Sequence, residues 1–307
     1  DNSVKQKVAQ LGARVAEKTC YMHGEASVFG TIIKMAQTFM GSNNCNLLLP
    51  KGQFGSRIAS PIGSDHSSER YIFTNVNEVT YKLFRKEDNI LLNYINFENQ
   101  LIEPEYYYPI LPTILINGAL GIGTGFSTTI PMYNLEDIAY IITKKLEGKR
   151  TRRELIPYYR FFKGKVVYKD EQTYVAQGIY EWLDSKNQLI IKELPPGMAT
   201  KKYISELYKM IYDKDGNAKI QCLIDVIDLS TKNDILFKLI MKPADYKKIK
   251  ELSHEEIITK FKLGTTIFES NMYLFDKRGN IKKYDSPMDI IDYHFKIKNF
   301  QCMCFDS

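Results

Sequence analysis

The chain has 307 residues, of which 44% are hydrophobic and 25% charged, with a formal net charge of +6 at neutral pH. That balance suits more than one folded domain with a sizeable core and excludes extensive disorder. The charge excess is modest: it is compatible with one face that neutralises phosphates and does not by itself establish nucleic-acid binding. Five cysteines, Cys20, Cys45, Cys222, Cys302 and Cys304, form no C-x-x-C pair, which disfavours zinc ribbons and redox motifs and suits a reducing compartment. No stretch is long and apolar enough to span a bilayer, and Asp1-Asn2-Ser3 opens no signal peptide. The absence of Met at position 1 suggests a segment of a longer protein.

In chain order, Val4, Val8, Leu11 and Val15 recur at helical spacing. A break at Cys20 to Gly24 precedes a second amphipathic helix marked by Val28, Ile32, Ile33, Ala36, Phe39 and Met40, which starts near Glu25 or Ser27 and ends at Gly41-Ser42-Asn43-Asn44. Two helices joined by a Gly-containing turn and followed by loops and short strands read as a winged-helix form of helix–turn–helix, or as an ordinary helical hairpin. Tyr71 to Asn75 predicts a strand, as does Leu91 to Ile95. A Pro-bounded aromatic loop runs from Glu103 to Pro109, a glycine-rich segment ends at Gly125, and Leu135 to Leu146 is an amphipathic helix stopped by Gly148.

The basic run Lys144, Lys145, Lys149, Arg150, Arg152 and Arg153 looks like a domain boundary. Beyond it come short strands at Val166 to Tyr168, Tyr174-Val175, Ile179-Tyr180 and Leu189 to Ile191, with a hairpin turn at Lys186-Asn187 and a stop at Pro195-Pro196-Gly197. A helix face through Ile204, Leu207, Tyr208 and Ile211 follows, then strands at Lys219 to Ile227 and Leu236 to Met241 and a helical stretch from Tyr246 to Lys262. A hairpin around Arg278-Gly279-Asn280 leads into a last helix from Pro287. The expected fold is α+β: a domain over 1–148, an α/β domain over 149–265, and a hairpin with the start of a helix over 266–307.

Arg70-Tyr71 is the candidate catalytic pair. A free tyrosine has a pKa near ~10 and is a weak nucleophile at neutral pH, so it needs positive charge to favour the phenolate. A neighbouring arginine is permanently charged and shaped to grip two phosphate oxygens. On the dipeptide alone, Tyr71 is far better read as one of 21 tyrosines packing a strand start; the surrounding motifs reverse that. His23 precedes the second helix, where a helix N-terminus attracts phosphate; it also reads as a buried turn histidine. Ser42, Asn43, Asn44 and Asn46 form a polar cluster after that helix, and Lys51, Gln53, Ser56 and Arg57 follow in a loop; these are candidate DNA contacts, although Asn and Gln serve turns equally well. His66, in a Ser-rich loop, reads as incidental. The run Asn117 to Gly125 lacks the G-x-G-x-x-G spacing of a dinucleotide site, and no helix pattern follows it.

Taken together, the order of these motifs resembles the DNA-cleavage region of type IIA topoisomerases of the eukaryotic type. The resemblance runs from Val4 to about Phe295 and rests on Gly24-Glu25, Gly41 to Asn44, Gln53-Phe54-Gly55, Arg70 to Thr74, Glu103 to Tyr107 and Ile116 to Ala119. It continues through Phe162-Lys163-Gly164, Lys192 to Pro195 and Lys282 to Asp285 in what would be the family's tower domain. It implies that Tyr71 attacks a phosphodiester, that Arg70 assists, and that His23 contacts phosphate. It also implies that Ile122, between two glycines, wedges between base pairs and bends DNA; Ile122 in a tight core turn is the alternative. The chain departs from the family at Met22, where a histidine is usual, and over Asn299 to Ser307, where the family continues into a long coiled-coil helix.

The family's magnesium site lies in a TOPRIM domain marked by a Glu-Gly-Asp-Ser motif that this sequence lacks. No metal ligand and no cofactor is therefore assigned to this chain. The resemblance places Mg²⁺ and ATP in TOPRIM and ATPase regions of the same polypeptide, with double-stranded DNA as partner, a homodimer as the working assembly and no membrane. It implies an intracellular protein, nuclear or, if encoded by a cytoplasmic DNA virus, in the host cytoplasm. The Ile-, Lys-, Asn- and Tyr-rich composition suits a large DNA virus or an AT-rich microbe. A non-catalytic module that binds and bends duplex DNA is the rival reading.

Overall fold

A computed structural model describes residues 4–212 and 223–303. The chain opens with a two-residue strand β1 (Gln6–Lys7) and helices α1 (Val8–Lys18) and α2 (Glu25–Ala36), followed by β2 (Leu48–Lys51) and β3 (Phe73–Val76). The three strands form an antiparallel sheet in the order β1-β3-β2, with Lys7 and Lys51 both opposite Phe73. Val8, Ile32, Ile33, Ala36, Leu48, Phe54 and Ile72 bury together behind it. Their spacing, helical in α2 and local elsewhere, is why two helices and a small sheet share one core.

Helix α2 stops at Ala36, short of the expected run through Met40, because Gln37 turns extended. The buried Gln37 side chain donates to the carbonyls of Phe54 at 2.9 Å and Gly63 at 3.2 Å. The Asn43 amide donates to the carbonyls of Lys34 and Gln37, so the open end of the helix is closed by a side chain nine residues on from Lys34.

Then come α3 (Glu78–Leu83), the hairpin β4 (Tyr94–Phe97) and β5 (Gln100–Pro104), helix α4 (Thr113–Asn117), the hairpin β6 (Ala119–Ile122) and β7 (Ser127–Ile130), and α5 (Leu135–Leu146). The strand expected from Leu91 begins only at Tyr94; a 3₁₀ turn over Lys86–Leu91 takes its place. Helix α5 is capped by Asn134, whose side chain accepts from the Glu136 amide at 2.7 Å.

Strands β8 (Lys165–Asp170) and β9 (Thr173–Gln177) pair with β14 (Gly264–Phe268) in the order β14-β9-β8. Strands β10 (Ile179–Leu183), β11 (Gln188–Glu193), β12 (Leu223–Asp228) and β13 (Phe237–Met241) form a second sheet in the order β10-β11-β13-β12. Packed with it are α6 (Thr200–Ile211), α7 (Pro243–Lys250) and α8 (His254–Lys260), in a core through Leu189, Ile191, Tyr203, Leu207, Phe237 and Phe261. Every strand pair here is antiparallel, so the second region is α+β and not the α/β expected. Short turns, such as the one at Asn187 between β10 and β11 with φ of 50°, return the chain directly, and the helices between β11 and β12 and between β13 and β14 still lead to antiparallel pairs. The strand expected from Lys219 begins at Leu223; residues 219–222 lie outside the described residues.

The last elements are the hairpin β15 (Met272–Phe275) and β16 (Ile281–Tyr284), and helix α9 (Pro287–Met303). Met272, Tyr284, Ile290 and Ile291 bury against Leu115, Ile116, Tyr133, Ile138 and Ile141, so the end of the described chain packs into the core of α4 and α5. A Lys145–Asp292 ion pair at 2.5 Å ties α5 to α9. The architecture is a mixed α+β fold.

Candidate active site

Tyr71 is not in a strand. It lies in the turn before β3, with its amide donating to the Ser68 carbonyl at 2.9 Å. The next residue, Ile72, is buried, while Tyr71 faces outward and is 71% exposed. Gly52 makes that anchoring possible. Its φ is +121°, and a Cβ there would sit 2.9 Å from the Ile72 side chain. On the other side, the first amides of α1 close the turn: Val8 donates to Ile72 and Ala9 to Glu69, each at 3.1 Å. Two otherwise orphaned helix donors thus fix the backbone on both sides of Tyr71.

Basic side chains gather around this turn, which itself also holds Glu69. The Arg70 guanidinium is 5.8 Å from the centre of the Tyr71 ring. Lys7 and Lys51 flank Phe73 from the two neighbouring strands, and the Lys5 ammonium lies 5.1 Å from the Phe73 ring. Lys51 was legible from its motif. Lys5 and Lys7 were not, because only strand pairing brings the start of the chain beside β3. A Lys-x-Lys pair at the mouth of the first helix was the available signal.

His23 is exposed immediately before α2, with its ring edge-on to Tyr21 at 5.4 Å; the Tyr21 hydroxyl donates to Ser27 in the first turn of the helix. The reading of His23 as a buried turn residue is therefore corrected. Ile122 ends β6 and is 87% exposed, so its reading as a core residue is also corrected. Leu120, two residues before it on the same strand face, and Phe126 across the turn are exposed as well. His23 and Ile122 lie on different elements from the Tyr71 turn.

The remaining candidates are occupied by the fold. Arg57 and Glu193 are 3% and 2% exposed and paired at 2.7 Å; Arg57 also donates to the Leu194 carbonyl at 3.3 Å. An arginine so enclosed does not face a duplex, which corrects its reading as a phosphate contact. It instead fastens the loop after β2 to the end of β11, and the carbonyls of Arg57 and Ile58 accept the first amides of α6 at 3.0 Å. Ser56 is buried: its hydroxyl and amide donate to Asp65 at 2.5 and 2.7 Å. Burial pushes the Asp65 carboxyl up, but these hydrogen bonds outweigh it and hold the group below its ordinary range. Asn43 closes α2 as described. Asn44 donates to the carbonyls of Tyr133 and Tyr158 and accepts from the Arg160 amide at 2.8 Å. Ser42 donates to Phe39 at 2.5 Å. Gln53 accepts from Lys232 at 3.1 Å across a cleft of about 570 Å³ lined also by Phe161 and Lys163. For Ser42, Asn43, Asn44, Ser56 and Arg57, the contacts seen are those of architecture.

What the exposed group can do chemically is therefore narrow: a hydroxyl on a rigid turn, an adjacent guanidinium, and lysines on the neighbouring strands, suited to an anionic polymer. Residues 1–302 match the family model of the A-type subunit of DNA gyrase/topoisomerase IV. The chain belongs to this family. It is 42% identical to DNA topoisomerase 2 of Plasmodium falciparum over 286 residues, 93% of this chain and 20% of that protein. It is 42% identical to DNA topoisomerase 2 of Arabidopsis thaliana over 298 residues, 96% of this chain and again 20% of the relative. The crystal structure of the Plasmodium falciparum topoisomerase II DNA-binding, cleavage and re-ligation domain superposes with a TM-score of 0.90 at 39% identity, over 97% of this chain and 39% of that one. The chain thus spans about a fifth of the length of these curated relatives. Among the described residues, no helix is long and apolar enough to cross a membrane, and no group of three or more His, Cys, Asp or Glu is placed to hold a metal ion.

Proposed function

We propose that this chain is the DNA-binding, cleavage and re-ligation segment of a type II topoisomerase, with Tyr71 as its nucleophile. The observation that carries the reading is the Tyr71 turn itself: a tyrosine thrust into solvent beside Arg70, on a backbone held from both sides. The Tyr71 oxygen attacks a backbone phosphorus and loses its proton to solvent or a base. The bond to the 3′-oxygen breaks, that oxygen takes a proton from solvent and leaves as a 3′-hydroxyl, and a 5′-phosphotyrosyl ester forms. One phosphodiester replaces another, so the strand can be resealed by the reverse step without high-energy input. Arg70 stabilises the charge that builds on the phosphoryl oxygens, and Lys51 and His23 hold the flanking backbone.

In this reading α1, α2 and the β1-β3-β2 sheet are the winged-helix unit, and the sheets and helices between Lys165 and Phe268 are the tower. Ile122 is the apolar wedge that unstacks a base step and bends the duplex. Mg²⁺ and ATP are assigned to TOPRIM and ATPase regions of a longer polypeptide, which works as a homodimer and passes one duplex through another. The similarity to DNA topoisomerase 2 relatives supports that assignment.

The test uses the full-length enzyme that carries this region, with Mg²⁺ and end-labelled DNA, followed by denaturing gels. Tyr71→Phe should keep duplex affinity and lose the covalent complex by at least ~10³-fold, as expected for removal of a nucleophile. A Phe variant that still links to 5′ ends rules out Tyr71. A parent protein that bends DNA and never links to it favours the non-catalytic bending module.

A further inference from the structure

The hairpin that carries Ile122 is a two-stranded ribbon, with Ala119 opposite Ile130 and Ile122 opposite Ser127. A ribbon of this kind is marginal alone, yet its tip is the most exposed apolar group in this part of the fold: Leu120, Ile122 and Phe126 all face solvent. An apolar wedge has to resist the stacked bases it separates, because unstacking a base step costs free energy. If its support yields before the duplex does, no bend results. Something must therefore stiffen the ribbon.

The β15–β16 hairpin supplies that support through the outer edge of β7. The Thr129 amide donates to the Asn271 carbonyl at 2.8 Å, and the Asn271 side-chain amide donates to the Ser127 hydroxyl at 3.1 Å. The Thr128 hydroxyl accepts from the Tyr273 amide at 3.0 Å. The Phe126 ring, at the turn, meets the Tyr273 ring edge-on at 6.4 Å. Each residue from Phe126 to Thr129 thus has a partner at Asn271 or Tyr273. The supporting segment is itself held from below. The Tyr133 hydroxyl donates to Glu269 at 2.6 Å, the Glu269 amide donates to the Gln172 carbonyl at 2.8 Å, and Met272 is fully buried. The load path runs from an exposed tip through four consecutive residues to a buried base.

We propose that Asn271 and Tyr273 are positioning residues for DNA bending: they hold the Ile122 hairpin at the angle from which the wedge enters the duplex. This inference rests on the reading of Ile122 as the wedge, and its failure is separable from the failure of that reading. Neither residue touches the reacting atoms. Their action is mechanical, through the hairpin.

The test compares bending by the full-length enzyme of two dye-labelled duplexes, one intact and one already kinked by unpaired adenines. Energy transfer reports the bent population. The variants are Tyr273→Ala, Tyr273→Phe, Thr128→Val and Ile122→Ala. Tyr273→Ala and Thr128→Val should lower the bent population on intact DNA by roughly two- to tenfold, the range expected for losing one aromatic pair or one hydrogen bond. Both should recover on the kinked duplex, where little unstacking is left to do, and Tyr273→Phe, which keeps the ring, should match the parent throughout. Bending of intact DNA at the parental level by both Tyr273→Ala and Thr128→Val would overturn the inference. So would equal loss on the two duplexes, which would mark general structural damage. If Ile122→Ala bends DNA normally, the wedge reading falls and takes this inference with it. If Ile122→Ala fails to bend while Tyr273→Ala and Thr128→Val succeed, the wedge stands and the support role alone is lost.

Discussion

Arg70 and Arg57 occupy opposite environments. Arg70 sits on an exposed turn beside Tyr71, with its charge turned towards solvent. Arg57 is enclosed with Glu193 between the loop after β2 and the end of β11, where it also meets the Leu194 carbonyl. Both arginines follow short polar motifs. The difference teaches how a charge is used. A solvated guanidinium can exchange water for a phosphate at little cost. A desolvated one is already committed to its partner, and its Nε finds no acceptor. Ser56 against Tyr71 repeats the contrast, one hydroxyl closed onto Asp65 and the other open.

The strongest way to break this comparison is Arg57→Ala. It leaves the Glu193 carboxylate buried without its cation, although the Leu194 and Lys163 amides still donate to it, which should cost about 3–5 kcal/mol, read as a fall in denaturation midpoint. The double variant Arg57→Ala with Glu193→Ala should recover part of that loss. A variant that melts like the parent while duplex affinity drops would place Arg57 on the DNA instead.

Ser56→Ala should cost less, about 1–3 kcal/mol, since Asp65 loses a donor while keeping the Ser56 amide. Its pH dependence sharpens the point. The folded Asp65 carboxyl lies below its ordinary range, so its contribution is present above the unfolded pKa and is lost as pH falls through the folded one. The Ser56→Ala penalty should therefore shrink in acid melts; a penalty that stays constant with pH would detach the hydroxyl from the carboxylate.

Glu269 carries the opposite sign. Burial raises its carboxyl, and the hydrogen bond from Tyr133 offsets this only in part. The folded state then favours the protonated form, so ionised Glu269 costs stability at neutral pH, and that cost fades as pH falls through the raised value towards the unfolded one. Glu269→Gln should gain on the parent as pH rises from 5 to 7, read as the difference between their melting temperatures at the two pH values. An advantage that grows in acid would reverse the assignment. The smallest effect is expected for Ile122→Ala, within ~0.5 kcal/mol, because an exposed side chain leaves no cavity. A loss of ~2–5 kcal/mol would put Ile122 back in the core.

Much of this molecule could be read before folding. Helical spacing in Val8, Leu11 and Val15 and in Ile32, Ile33 and Ala36 located α1 and α2, since a helix repeats its own contacts every three or four residues. Asn187 and Gly279 marked hairpin turns through conformations open to few residues. The Arg70-Tyr71 pair and Ile122 were singled out by the order of the surrounding motifs and the family resemblance it carries, since neither an Arg-Tyr dipeptide nor an apolar residue between glycines is distinctive alone. What the tertiary structure alone decided was which polar side chains remain free. Asn44 meets Tyr133 and Tyr158, Arg57 meets Glu193, and Asn271 meets Ser127, all far apart in the chain. Such pairs have no local signature: their partners are chosen by packing, and a side chain becomes available for DNA only if the fold has not already satisfied it.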